Sequence, residues 1–98
     1  MAELRFEWDE RKSTQNRRKH GVSFEEAQTV FFDEQALLVA DPGHSEGEER
    51  FILLGLSGAL RLLVVCHCYR REGDFIRLIS ARRANRQEQQ VYEVRRAR

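Results

Sequence analysis

The chain has 98 residues, 34% of them charged, and a formal net charge of +1. That length fits a single domain spanning 1–98 with a small core, and near-neutrality excludes a general nucleic-acid coat protein, which needs a large positive excess. Two cysteines exclude a disulfide scaffold, and no apolar stretch reaches the ~20 residues of a membrane span.

The near-zero sum hides a segregation. Residues 11–20 carry Arg11, Lys12, Arg17, Arg18 and Lys19 with no acid, whereas residues 23–49 carry Glu25, Glu26, Asp33, Glu34, Asp41, Glu46, Glu48 and Glu49 with no lysine or arginine. Such blocks fit one face for a polyanion and another for a basic partner, or simply solvated faces.

Leu4 to Trp8 alternates apolar and charged residues, as a half-buried strand does. Asp9 is placed to cap a helix over about 10–20 that has almost no apolar face, so something besides core burial must hold it. Lys12, Asn16, Lys19 and His20 share one side of it, and Gly21 suits the left-handed position after it. Ser23 to Glu26 reads as a capping box opening a second helix to about Phe32, with Phe24, Ala27 and Phe31 inward.

Strands are expected over Ala36–Ala40, Arg50–Leu56, Leu60–Tyr69 and Phe75–Ala81, with a last helix from Ala84. The order β-α-α-β-β-β-β-α implies an α+β domain, a compact antiparallel sheet with helices packed on one side.

Two turns set an expected register. A two-residue loop at Ser57-Gly58 puts Glu48 opposite His67 and Arg50 opposite Val65, and a loop at Glu72-Gly73 puts Leu63 opposite Arg82. Glu48, Arg50, His67 and Arg82 then project from one face, although a one-residue slip reverses the alternation and brings His67 together with Arg77. Cleaving RNA without a metal needs a base for the 2′-hydroxyl, an acid for the leaving oxygen and cations at the phosphate. Histidine or glutamate can move the protons, and arginine offers a planar fork for phosphate oxygens. The competing reading is an exposed cross-strand charge cluster.

Cys66-His67-Cys68 is not a metal site on this reading, because the histidine of a strand points away from both neighbours. No metal or other cofactor is expected. The N-terminus lacks the apolar run of a signal peptide, and unpaired cysteines favour a reducing cytoplasm.

Taken together these residues resemble the BrnT family of bacterial toxins. The matching pieces are Phe6-Glu7-Trp8-Asp9, Lys12-x₃-Asn16-x₂-Lys19-His20-Gly21-Val22-x-Phe24-x₂-Ala27, Val30-Phe31-x-Asp33, Asp41, His44 and Glu48-x-Arg50. They continue through Gly55, Leu63-Val64-Val65 and Ile79-Ser80-Ala81-Arg82-x-Ala84-x₃-Glu88-x₃-Tyr92. The resemblance implies a RelE-like fold and a metal-independent ribonuclease that arrests translation and growth. It also implies neutralisation by a BrnA-type DNA-binding antitoxin, through which the pair would meet operator DNA and repress its own operon.

The expected catalytic residues are Glu48, Arg50, His67 and Arg82, with RNA held by Lys12, Lys19, His20, Arg77 and Arg83. The rival is a non-catalytic binding module, a toxin-like subunit that docks on a target or serves mainly as an operon co-repressor.

Overall fold

The structure is a computed structural model that describes residues 3–41 and 48–97. In chain order it contains β1 (Phe6–Glu7), α1 (Glu10–His20), α2 (Phe24–Thr29), a 3₁₀ turn (Val30–Phe32), β2 (Leu37–Asp41), β3 (Arg50–Leu56), β4 (Leu62–Arg70), β5 (Phe75–Arg83) and α3 (Arg86–Arg96). This is the expected α+β order. The strands form one sheet in the order β1-β5-β4-β3-β2. It is mixed rather than wholly antiparallel, because β1 runs parallel to β5, with Phe6 beside Ile76 and Glu7 beside Arg77.

Local chemistry fixes the helix ends. The Asp9 carboxylate accepts from the Arg11 amide at 2.8 Å, and Gly21 ends α1 at φ 72°, a left-handed conformation that glycine adopts without strain. Ser23 caps α2 by accepting from the Glu26 amide at 3.1 Å. The expected return bond of a capping box is replaced. The Glu26 carboxylate instead accepts from Ser57 Oγ at 2.7 Å and Arg61 Nε at 2.9 Å, tying α2 to the β3–β4 loop. The complete capping box lies at α3, between Asn85 and Glu88.

The helices cover both faces, correcting the expectation of one. Phe24, Ala27 and Val30 pack with Leu53, Leu63, Val65, Leu78 and Ala81, whereas Tyr92 and Ala84 pack with Leu54, Val64 and partly buried Ile52, Leu56 and Leu62. Successive residues of a strand point to opposite faces, so α2 lies on one side of the sheet and α3 on the other.

α1 is held by polar groups, since its buried residues are Ser13 and Asn16. The Asn16 amide donates to the Ala81 and Val22 carbonyls at 2.7 and 2.8 Å and accepts from the Ala81 amide at 3.1 Å. That side chain thus does for the edge of β5 what a neighbouring strand would do, past the point where β1 ends.

The register differs from the sequence reading in two places. The β3–β4 loop runs over 57–61, closed by the Ser57 amide on the Arg61 carbonyl at 2.8 Å, with Leu60 at φ 63°. Leu56 therefore faces Leu62, and Phe51 faces His67. The β4–β5 hairpin has the expected register near its turn, with Arg70 facing Phe75. A bulge then intervenes between Cys66/Ser80 and His67/Leu78, leaving Ile79 unmatched, and Val65 faces Ala81 and Leu63 faces Arg83.

Candidate active site

Among the described residues, α3 covers one end of the sheet face on which it packs. On the remainder, one row crosses the whole sheet. Glu7 of β1 lies beside Arg77 of β5, and Arg77 lies opposite Cys68 of β4. Extending the β3–β4 register by one residue past Phe51 and His67 sets Arg50 beside Cys68, and Asp41 of β2 faces Arg50. Side chains directly opposite in a ladder share a face. The row is therefore acid, arginine, thiol, arginine, acid.

Arg77 Nη1 donates to Glu7 Oε2 at 2.9 Å. Arg70, one alternation beyond Cys68, donates to Glu48 Oε2 at 3.0 Å. Cys68 is fully buried, and burial, followed by Glu48 and its hydrogen bond, pushes the thiol pKa up. Burial also raises Cys66, with Asp41 adding to the effect and Arg50 and Ser80 opposing it. Both cysteines stay thiols at neutral pH, so neither is primed as a nucleophile. With strands ~4.8 Å apart, the Arg50 and Arg77 Cα atoms are ~10 Å from each other. Both guanidinium groups can reach an anion seated over Cys68.

Arg82 shares this face but not this row. It faces Val64, four residues along β4 from Cys68, or ~13 Å at the rise of a strand. It donates bidentately to Glu88, at 2.9 and 2.8 Å. The pair holds the Glu88 carboxyl below the usual carboxylate range and raises Arg82.

His67 departs from expectation. It is fully buried on the opposite face, against Phe31 at 4.8 Å and Phe51 at 6.2 Å between ring centres. Nδ1 lies 3.1 Å from the Val65 carbonyl and Nε2 3.3 Å from the Tyr69 hydroxyl. Burial pushes its pKa below 6.5. The expected cluster of Glu48, Arg50, His67 and Arg82 is thus divided, since the alternation that carries Cys68 toward the arginines carries His67 into the core. Arg83 also lies on that opposite face, where its charge acts on Glu26.

Lys12, Lys19 and His20 do come together, lining a shallow groove with Gln15, Asn16, Ile79 and Ser80 at the edge of β5. Ser80 faces Cys66, the next residue of β4 on the arginine face. The groove therefore adjoins the row. His44 lies outside the described residues. Sequence reasoning missed Arg70, although the alternation Cys66, Cys68, Arg70 carries the signal.

Comparison with known proteins adds three findings. A family model described as "Ribonuclease toxin, BrnT, of type II toxin-antitoxin system" matches residues 8–88. The crystal structure of the Brucella abortus ribonuclease toxin BrnT superposes with a TM-score of 0.64 at 21% identity, covering 86% of this chain and all of that one, so the two share a fold. The search of curated proteins finds no match.

Proposed function

The chain belongs to the family of BrnT ribonuclease toxins of type II toxin–antitoxin systems, and on that premise we propose that it is a metal-independent endoribonuclease acting at the arginine row that flanks Cys68. Arg50 and Arg77 would grip the scissile phosphate and stabilise the charge that develops on its oxygens. Glu48, held at the rim by Arg70, would take the 2′-hydroxyl proton as the 2′-oxygen bonds to phosphorus. The bond to the 5′-oxygen then breaks, and that oxygen takes a proton from water, leaving a 2′,3′-cyclic phosphate. Lys12, Lys19 and His20 would hold neighbouring phosphates along the β5 edge, with Arg82 at the far end of the face. His67 and Arg83 have no part in this scheme.

The observation that carries the reading is the level placement of Arg50 and Arg77 on either side of Cys68, on one face of the sheet. The family implies an antitoxin partner. We propose a BrnA-type DNA-binding protein that silences the enzyme and brings the pair to operator DNA, with the toxin acting in the cytoplasm to arrest translation and growth. Among the described residues no helix is long and apolar enough to cross a membrane.

The test is cleavage of RNA by the purified chain, free of antitoxin, in the presence of a chelator. Cleavage that fails in Arg50→Ala and Arg77→Ala but survives in folded Arg83→Ala is expected. Full activity in folded Arg50→Ala and Arg77→Ala would overturn the site. Intact RNA alongside sustained growth arrest would favour docking on a target instead.

A further inference from the structure

Of the large apolar side chains exposed among the described residues, Leu38, opposite Leu53, points to one side of the sheet, whereas Val39, Val91 and Val94 fall on the other, where β2 meets α3. Here Leu37, Gln87, Gln90, Val91, Val94 and Arg95 line an open groove. β2 is the last strand of the sheet, paired only with β3. A strand with one open edge offers a row of backbone donors and acceptors, and the apolar groove beside it offers seats for alternate side chains of a strand laid there. Among the described residues no carboxylate lines the groove. α3 adds exposed Arg86, Arg95 and Arg96 against exposed Glu93, while its Glu88 is held by Arg82.

We propose that this groove is where the antitoxin docks, through an extended segment of alternating apolar residues flanked by acidic ones, added to the sheet as a strand beside β2. The inference rests on the toxin reading above. An unpartnered apolar groove with a basic rim matches such a segment in both hydrophobicity and charge. Its position also explains neutralisation. Val39 and Asp41 lie on the arginine face, opposite Ile52 and Arg50, so a segment paired along β2 ends at the arginine row. The occupant would close the catalytic face from the side, with no need to unfold it.

The test uses the whole chain and the purified product of the adjacent reading frame. Val91→Asp/Val94→Asp alters two exposed side chains remote from the arginine row, so RNA cleavage should stay within about twofold of wild type. Affinity for the partner should fall by about 30-fold or more, as for anchors at an interface centre. Hydrogen exchange at the β2 amides, 37–41, should slow in the wild-type complex. Unchanged affinity in the double variant, or unchanged exchange across β2, overturns the proposal while leaving the toxin reading intact. If the wild-type chain forms no complex with that partner, the toxin–antitoxin premise falls and takes this inference with it.

Discussion

Arg50 and Arg77 stand on the same row of the sheet, one on each side of Cys68, although 26 intervening positions separate them in the chain. Each is opposite or bonded to a carboxylate of an outer strand, Asp41 for Arg50 and Glu7 for Arg77. Glu7 thereby orients the Arg77 guanidinium, and the ladder rather than a loop fixes the separation of the two arginines. Rigid elements position such groups more closely than loops do.

Removing either arginine should slow RNA cleavage by roughly 10²–10³-fold, the usual cost of losing one donor to a developing oxyanion. Arg82→Ala should cost less in rate, because Arg82 lies opposite Val64, about 13 Å along the face from Cys68. Single-turnover cleavage with each variant checks the order. Equal losses for Arg50, Arg77 and Arg82 would mean that the phosphate sits nearer the middle of the face.

His67 gives the fold a pH dependence. Its folded pKa lies below its unfolded value because burial disfavours the cation. The unfolded chain therefore takes up the proton first as pH falls. Stability is whole above about pH 6.5 and declines below it, by at most ~1.4 kcal/mol per pH unit, until the folded histidine also protonates. Glu26, Asp33 and Glu88 are held below their ordinary carboxylate values, so their contributions are lost at lower pH. Urea melts between pH 7 and 5 should slope in wild type and flatten in His67→Phe. A slope that persists unchanged in the variant would assign it elsewhere.

Asn16 is the tie between α1 and the sheet. Asn16→Ala should cost roughly 2–3 kcal/mol, because the Ala81 amide and carbonyl lose a buried partner without gaining water. Asn16→Asp keeps the shape but replaces the donor toward two carbonyls with an acceptor, so it should destabilise at least as much. Chemical denaturation measures both, and a loss below ~0.5 kcal/mol for each would show that α1 is held by other means.

Gly55 allows the close approach of the 3₁₀ turn to β3. A Cβ there would lie 2.8 Å from Val30 Cγ1, 2.9 Å from Ala36 Cβ and 3.1 Å from Asp33 Oδ2. The same Asp33 oxygen accepts from the Leu56 amide at 2.8 Å and the Tyr92 hydroxyl at 2.7 Å, linking both faces of the sheet. Burial, followed by that bond, pushes the Tyr92 pKa up to about 12. Gly55→Ala should destabilise by ~1–3 kcal/mol through overpacking. A thermal melt unchanged from wild type would show that the turn can shift at little cost.

The chain by itself determined which elements form, where α1 begins and ends and where α2 begins. Asp9, Gly21 and Ser23 act on their own neighbours, and the apolar alternation of β3 and β4 is a local pattern, so both can be read without knowing the fold. It also determined that Lys12, Asn16, Lys19 and His20 share a side, since helical spacing alone dictates that. The tertiary structure decided which residues meet across strands. A five-residue loop in place of a two-residue one, and a bulge at Ile79, shifted the ladders by amounts no local pattern encodes. Because strand side chains alternate, such shifts decided that Arg77 rather than His67 lies level with Arg50. They also left Arg82 on the same face but farther along it. The side of the sheet taken by α3 was likewise undetermined locally, since either face offered apolar residues. It was settled by packing with Leu54 and Val64 and by the bond from Tyr92 to Asp33.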